Sequence, residues 1–203
     1  MTPGIKAVST RPRSQRTHAA VLDATLALLR EVGFPLTTIE RIAAASSVST
    51  ASIYKHWPSK NAIVAEAFGR YVNEALPITT TDDPLGDLRS FAVEAMTFHS
   101  QAGETTFAHL LSACALEESG QAYLHEYYLG PRREMLKPLW SQAVEAGLVR
   151  DDVEEDLAMD LIFGAAVFRM LRGSTAPSRE TVRQMIELSL DSLTTPAARK
   201  DAR

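Results

Sequence analysis

Apolar residues recur along most of this chain at intervals of three and four, and polar stretches separate one run from the next. This spacing is typical of helices with one buried face, whereas a half-buried strand would alternate every second residue. No long segment shows the period of a strand, so the pattern predicts an all-α fold. The predicted helices after the first sixty residues cover 60–76, 84–101, 106–118, 121–145, 152–172 and 178–193. The first sixty residues predict an amphipathic helix over 17–32 followed by two shorter helices.

The two short helices lie within residues 37–60 and are separated by about three residues. Thr37 and Glu40 have the spacing of a capping box, which would begin the first helix. Ser46 and the two residues after it interrupt that helix, and Ser49 is placed to cap a second helix over 50–56, in which Ile53 faces the first helix. A pair of short helices joined in this way predicts a helix-turn-helix.

The same stretch resembles the DNA-binding segment of the tetracycline-repressor (TetR) family of bacterial regulators. Residues that match the family pattern in register are Thr38, Ile42, Ala43, Val48, Ser49, Ile53, Tyr54, His56, Trp57, Ser59 and Lys60. The sequence departs from the pattern at Ser47 and Ala51, where the family often has glycine, and at Ser52, which replaces threonine. Without the continuation from Tyr54 to Lys60, an ordinary helical hairpin would explain the pattern equally well.

The resemblance implies a three-helix DNA-binding domain followed by a helical domain that binds a ligand and dimerises. Small and polar residues at the start of the second short helix are suited to reading base edges in the major groove. Lys60, at the start of the next helix, is expected to bind a phosphate with the free amides there. The expected DNA-binding residues are Thr38, Ser49, Thr50, Ala51, Ser52, Tyr54, Lys55, His56 and Lys60.

The charge is unevenly distributed, which reconciles a net charge of −4 with DNA binding. Residues 1–60 carry eight Lys or Arg and three Asp or Glu, a balance of +5, whereas the rest of the chain carries 13 and 22, a balance of −9. We therefore expect only the N-terminal quarter to contact DNA. The chain has a single cysteine, no signal-peptide pattern and no apolar run long enough to span a membrane, so we expect a cytoplasmic protein without a membrane partner.

The polar and Pro-rich stretches divide the predicted helices into domains. Residues 1–14 lack periodicity and predict a disordered basic tail. Arg11, Arg13 and Arg16, in and just after this tail, either follow DNA phosphates or enter a minor groove, or they make no defined contact. Residues 15–63 form the expected helix-turn-helix domain, and residues 64–203 the expected ligand-binding and dimerisation domain. A linker is predicted at 77–84, and breaks are predicted at Gly130-Pro131 and at Pro138.

No motif in the chain indicates catalysis, since phosphate-binding loops, nucleophile elbows and His-Glu-x-x-His are all absent. No metal or other cofactor is expected, because the histidines lack ligand spacing. The middle helices instead mix large apolar residues with a few polar groups, a composition typical of small-molecule sites but also of a plain helical core. The family resemblance favours an inducer pocket, with candidate lining residues Met96, His99, Phe107, Leu110, Cys114, Tyr123, Tyr127, Trp140 and Phe163.

The last two predicted helices alternate small and large apolar residues, and in the family the corresponding pair builds the dimer interface. The candidate interface residues are Ile162, Ala165, Ala166, Arg169, Val182, Met185, Ile186, Ser189 and Leu193. The sequence thus predicts a homodimeric, ligand-responsive regulator, usually a repressor, that binds a palindromic operator in double-stranded DNA and is released by a small-molecule inducer. The alternative is a helical small-molecule-binding or enzymatic protein whose helix-turn-helix is vestigial, and it predicts no retention on duplex DNA.

Overall fold

The computed structural model describes residues 12–101, 106–172, 176–196 and 198, and within them the chain is helical, as predicted. Among these residues, Val149 and Thr194 form an isolated antiparallel β-bridge. The helices are α1 (Pro12–Leu36), α2 (Ile39–Ser46), α3 (Thr50–Tyr54), α4 (Lys60–Ala75), α5 (Pro84–Gln101), α6 (Thr106–Ala115), α7 (Glu118–Leu124), a π-helical turn (His125–Leu129), α8 (Gly130–Glu145), α9 (Glu155–Leu171) and α10 (Arg179–Leu193).

The chain divides into two compact units, and the division does not follow the predicted boundary after residue 63. Unit 1 contains the described residues up to Tyr71 together with His109–Tyr128. Unit 2 contains Val72–Ala108 and the described residues from Leu129 onward. The difference arises because α4 continues through residue 63 as one helix, and because α7 contacts the start of α4 and the residues before it.

Unit 1 is built on the contacts of α1 with α2 and of α2 with α3. Its core consists of apolar side chains that recur at helical spacing on each of these helices and on the first half of α4. Fully or almost fully buried members are Val21, Leu22, Leu29, Ile39, Ile42, Ile53, Trp57, Ile63 and Val64.

Unit 2 is arranged around α5, which packs against α8, α9 and α10, while α9 and α10 also pack against each other. The inward face of each helix is again an apolar stripe with a spacing of three or four residues. On α10 this stripe is Val182, Ile186, Leu190 and Leu193. The segment after α8 is tied to the end of α10, because the Arg150 amide donates to the Leu193 carbonyl at 2.9 Å.

The predicted capping box at Thr37 and Glu40 is wrong by one residue. Thr38 is the N-cap of α2, and its hydroxyl accepts a hydrogen bond from the Arg41 amide at 3.3 Å. The Thr37 hydroxyl instead donates to the Gly33 carbonyl at 2.9 Å. Gly33 has the expected positive φ (76°), but its ψ of 171° is extended, and a further turn carries α1 on to Leu36.

The predicted interruptions in the middle of the chain are only partly present. A π-helical turn, His125–Leu129, occurs directly before Gly130-Pro131, so the regular α-helix does break there. Pro138, in contrast, lies inside α8 without ending it. Pro138 and Glu134 are both exposed, and water can therefore satisfy the carbonyl that proline leaves without a backbone donor.

The ends of the other helices agree with the sequence to within about three residues, except that α1 begins at Pro12 rather than at residue 17 and ends at Leu36 rather than at residue 32. The predicted disordered tail lies outside the described residues except for its last positions, which belong to α1. None of the helices in the described ranges combines the length and the apolar character that a membrane span requires.

Two helices end in the same backbone motif, although different residues occupy its left-handed position. After α8, Gly147 has φ 67°, and the amides of Gly147 and Leu148 donate to Val144 and Ala143. After α2, Ser47 has φ 57° and ψ 31°, and the amides of Ser47 and Val48 make the equivalent bonds. This is the Schellman motif, in which glycine is preferred because a Cβ atom is strained at positive φ. Ser47 therefore carries strain that Gly147 does not.

We predict that Ser47→Gly raises the free energy of unfolding by about 0.5–1 kcal/mol, because relief of the left-handed strain exceeds the backbone entropy that glycine adds to the unfolded chain. The neighbouring serine provides the control, since Ser46 has ordinary helical geometry at the end of α2. Ser46→Gly should lower stability by about 0.5 kcal/mol. Urea denaturation of both variants measures the difference, and a loss of stability in both would contradict the assignment of strain to Ser47.

Candidate nucleic-acid interface

The second helix of the predicted helix-turn-helix, α3, is the predicted recognition helix; it has only five residues, and local bonds at both of its ends define it. The Ser49 hydroxyl accepts from the Ser52 amide at 3.2 Å, which satisfies one of the free donors of the first turn, as predicted. Beyond the helix the chain continues in tight turns, and the Trp57 amide donates to the Ile53 carbonyl at 3.0 Å. The side chains of Ile53 and Trp57 are buried, so they fix which side of α3 faces inward.

The opposite side of α3 is exposed and polar. Of the predicted DNA-binding residues, Tyr54 keeps 56% of its surface accessible. Ser49, Thr50, Ala51, Lys55 and His56 are also exposed, and Thr38, Ser52 and Lys60 are half-buried. The exposed set combines short side chains at the start of the helix with a phenol, an ammonium and an imidazole at its end. The short side chains are suited to base edges, and the longer ones to phosphates.

A buried carboxylate, Glu66 on α4, holds the residue that follows the recognition helix. The indole Nε1 of Trp57 donates to Glu66 Oε2 at 2.7 Å. The other oxygen, Oε1, lies 2.7 Å from Arg70 Nη2 and 3.2 Å from His18 Nε2. We call these four residues the Glu66 cluster. It joins α1, α4 and the end of the recognition segment.

The electrostatics of the Glu66 cluster favour an ionised carboxylate despite its burial. Burial by itself raises the pKa of Glu66, but the bonds from His18 and Trp57 and the charge of Arg70 outweigh burial and hold that pKa below its usual value. Only 1% of the Glu66 side chain is accessible, whereas Arg70 is half exposed. His18 also stacks on the Trp57 indole, with ring centroids 4.6 Å apart.

Sequence reasoning did not identify Glu66 as part of the site, although a signal was present. Residues 62–68 are buried throughout, and Glu66 is the one charged residue among them. A lone carboxylate inside an apolar helical run needs partners, because an unpaired buried charge is costly.

Lys60 is placed differently from the expectation that it binds a phosphate at a free helix start. Its ammonium donates to the Phe34 carbonyl at 3.1 Å and lies over the Phe34 ring, 4.1 Å from the centroid. Burial lowers the pKa of Lys60. The capping role at this helix start belongs to Ser59, whose hydroxyl accepts from the Ala62 amide at 3.3 Å. A phosphate contact by Lys60 stays a prediction, and it would compete with the contacts to Phe34.

The predicted pocket residues are divided between the two units. Those in unit 1 are Leu110, Cys114, Tyr123 and Tyr127, and those in unit 2 are Met96, His99, Phe107, Trp140 and Phe163. In unit 1, Cys114 is buried, and burial, with the charge of Glu117, raises the pKa of its thiol to about 11. The Tyr123 hydroxyl donates to the His56 carbonyl at 3.1 Å. These two side chains therefore serve the packing of unit 1.

In unit 2 the polar residues lie within an aromatic environment. His99 stacks on Phe107 with centroids 4.1 Å apart, and burial together with the charge of Arg132 lowers the pKa of His99 to about 3. His99 is consequently neutral at pH 7. Arg132 is itself buried, and its guanidinium donates to the carbonyls of Val72 and Leu76 at the end of α4.

Most of the predicted dimer-interface residues lie on the inward side of α9 and α10. Those that are fully or almost fully buried within the chain are Ile162, Ala166, Val182, Ile186 and Leu193, while Ala165 is exposed and Arg169, Met185 and Ser189 are half-buried. The buried five leave no surface for a second chain. The large apolar residues that α9 and α10 expose are Leu157, Leu161, Phe168, Leu171 and Leu188.

Within the described residues, no three histidine, cysteine, aspartate or glutamate side chains gather closely enough to hold a metal ion. His99 belongs to unit 2, whereas His109 and His125 belong to unit 1. The ring of His109 stacks on Phe34, with centroids 5.9 Å apart.

Two family models and a curated relative match this chain. Residues 21–67 match the family model described as bacterial regulatory proteins, tetR family, and residues 78–189 match a tetracyclin repressor-like C-terminal domain. The HTH-type transcriptional regulator YdeS of Bacillus subtilis (strain 168) is 30% identical over 87% of this chain and 89% of its own.

Solved structures of other proteins have the same fold. The TetR family transcription regulator SCO0332 superposes with a TM-score of 0.73 and 27% identity, over 88% of this chain and 98% of its own. RolR, solved in complex with resorcinol, has the same fold, with a TM-score of 0.67 and 19% identity over 93% of both chains.

We predict that loss of the Glu66 carboxylate destabilises the protein in a pH-dependent way. Glu66→Ala should lower the free energy of unfolding by about 1–3 kcal/mol at pH 7, because the Trp57 indole is left buried without an acceptor. Since the folded-state pKa of Glu66 lies below 4.5, the contribution of its charge is present above that pH and is lost as the pH falls through the folded-state value.

Urea denaturation of the wild type and Glu66→Gln between pH 3 and pH 7 tests this pH dependence, as the stability difference between them should narrow below about pH 4.5. The exposed Glu31 on α1 provides the control, and Glu31→Ala should change stability by less than about 0.5 kcal/mol. A difference between wild type and Glu66→Gln that stays constant over this range would contradict an ionised Glu66.

Proposed function

This chain belongs to the TetR family of transcriptional regulators and carries that family's helix-turn-helix DNA-binding domain, and from this premise we propose that it is a ligand-responsive repressor that binds a palindromic operator as a homodimer. The observation that carries the proposal is the exposed side of α3, since its inward side is fixed by Ile53 and Trp57. The residues that face outward from this helix are small or carry a polar group. A recognition helix inserted in the major groove requires an apolar inward side and a polar outward side of this kind.

We assign separate tasks to the two ends of the exposed side. Thr50 and Ala51 stand at the first turn of α3 and would meet base edges and thymine methyl groups. Lys55 is an exposed cation after the last turn and would meet a phosphate, which carries no sequence information. Tyr54 and His56 would add further phosphate contacts. Lys60 has a lesser role in this assignment than the sequence suggested, because its ammonium already contacts Phe34.

The proposed dimer uses the outward face of α9 with α10. Leu157, Leu161 and Phe168 follow one another at intervals of four and seven residues, so they lie on one side of α9. Gly164 and Ala165 lie between them, and a Cβ atom added at Gly164 would meet no atom within 4 Å. Leu188 on α10 is 71% exposed. A second copy would bury these side chains, and two-fold symmetry would present two recognition helices to the two halves of a palindrome.

The proposed inducer is a small apolar or amphipathic molecule. Its site in unit 2 would include His99, which is neutral and buried beside Phe107. Aromatic compounds are the first to test, because RolR was crystallised with resorcinol. Release of labelled operator DNA by a panel of phenolic and aliphatic compounds would identify the class. To switch operator occupancy nearly completely, the inducer must prefer the released state by roughly 10⁴-fold.

We predict that Lys55→Ala and Thr50→Ala affect DNA binding in different ways. Lys55→Ala should weaken operator and random duplex alike and lower the slope of log K against log salt concentration by about one unit per subunit. Thr50→Ala should change the preferred base pairs by about 1–3 kcal/mol each and leave the slope unchanged. The operator for this salt titration is selected from random duplexes by the wild-type protein.

Lys55→Arg is the matched control for charge and should retain the slope. If Lys55→Ala changed only the operator preference, or Thr50→Ala only the slope, the proposed orientation of α3 would be wrong. A wild-type protein that is not retained on any duplex would favour the alternative of a vestigial helix-turn-helix.

We also predict that Phe168→Glu dissociates the dimer. It would weaken dimerisation about a hundredfold or more, since burial of an unpaired carboxylate costs several kcal/mol. Sedimentation analysis measures the change. Leu116→Glu is the control, because Leu116 is 92% exposed and lies in unit 1. A wild-type protein that sediments as a monomer, or a Phe168→Glu variant that stays dimeric, would contradict this interface.

A further inference from the structure

Residues His109–Tyr128 lie far from the helix-turn-helix in sequence but belong to the same compact unit. We call them the 109–128 segment; they comprise the end of α6, α7 and the first part of the π-helical turn. The family model of the C-terminal domain includes this segment, and that of the DNA-binding domain ends at residue 67. The structure nevertheless connects the segment to the chain that leaves the recognition helix.

The side-chain bonds of the segment converge on residues 56–61, which include the connection after α3 and the first two residues of α4. The Tyr123 hydroxyl donates to the His56 carbonyl at 3.1 Å. The Glu117 carboxylate accepts hydrogen bonds from the Asn61 side-chain amide and from the Ser119 hydroxyl. These bonds attach two places in the segment to both ends of the connection between α3 and α4.

The backbone of the segment also approaches α4 closely. A Cβ atom at Gly69 would lie 2.2 Å from the Tyr127 carbonyl oxygen, so only glycine permits this contact. A Cβ atom at Gly120 would lie 3.1 Å from Cys114 Sγ and 3.3 Å from Asn61 Cβ. The segment is therefore packed against α4 at two places, at Gly69 through its backbone and at Gly120 beside Asn61. The bonds of Tyr123 and Glu117 arise from this packed segment.

We propose that Tyr123 and Glu117 are positioning residues for DNA recognition. They set the orientation of α3 relative to α4 and do not touch DNA themselves. This inference rests on the proposed function. A five-residue helix cannot maintain its own direction. The Glu66 cluster fixes Trp57 from the inside, and Tyr123 fixes the preceding residue, His56, through its carbonyl. The two attachments together prevent rotation of α3 about the buried tryptophan.

The test uses the whole chain and its variants, each titrated with the selected operator and with a random duplex. Tyr123→Phe removes only the hydroxyl group, and Glu117→Ala removes the acceptor for Asn61. Each should weaken operator binding roughly threefold to tenfold. Affinity for the random duplex and the salt slope should stay unchanged, because the charges that meet phosphates are intact. Glu117→Gln keeps an acceptor oxygen and should recover most of the operator affinity.

Glu118→Ala provides the control, since Glu118 is exposed beside Glu117 on the same segment. The active fraction of each variant is determined by stoichiometric titration, so that a partly unfolded preparation does not imitate weaker binding. The inference is overturned if Tyr123→Phe and Glu117→Ala bind the operator as the wild type does, or if they weaken operator and random duplex equally. If the wild-type protein prefers no duplex, both the proposed function and this inference are overturned. If the wild type prefers one site and the variants bind that site equally well, only this inference is overturned.

Discussion

The hydrogen bond between the Trp57 indole and the buried Glu66 carboxylate is the contact on which the DNA-binding surface depends. A helix of five residues gains too few backbone bonds to be stable in isolation, so its existence and its direction come from tertiary contacts. Ile53 gives α3 an inward side, and Trp57 ties its end to α4. With these two residues fixed, the positions of Tyr54 and Lys55 on the outside follow from helical geometry alone.

A charged group at this position serves a purpose that an apolar residue would not. An apolar partner could bury Trp57 equally well, but it would accept no bond from Nε1 and would leave the orientation of the ring less defined. Glu66 also approaches His18 on α1 and Arg70 one turn further along α4. One carboxylate thus joins three parts of unit 1, and the cost of its burial is offset by the hydrogen bond from Trp57 and by the contacts with Arg70 and His18.

The sequence predicted those features that depend on residues close together in the chain. The Ser49 cap, the inward position of Ile53 and the closure of α8 at Gly147 follow from local patterns, and each is present. The features that the sequence did not indicate depend on distant residues. Nothing near Lys60 in the sequence indicates that its ammonium contacts Phe34, and nothing near Tyr123 points to His56.

Helix pairing likewise determines which faces of α9 and α10 are buried within the chain. Periodicity shows that a helix has apolar positions, but it does not decide which of two apolar faces meets its own chain. Ile162 and Ile186 face inward because α5 packs on that side, and Phe168 and Leu188 are left outside. Small residues occur on both faces of α9, so the alternation of small and large side chains could not distinguish them.

Oxidative footprinting of the wild-type side chains, with and without the selected operator duplex, tests most directly whether the outward side of α3 meets DNA. Tyr54 is 56% exposed and reacts readily with hydroxyl radicals, while Leu116, 92% exposed and outside the proposed contact, serves as the internal reference. The account predicts that a saturating duplex slows oxidation of Tyr54 several-fold and leaves Leu116 unchanged. Oxidation of Tyr54 at the same rate in the free and the bound protein would contradict it.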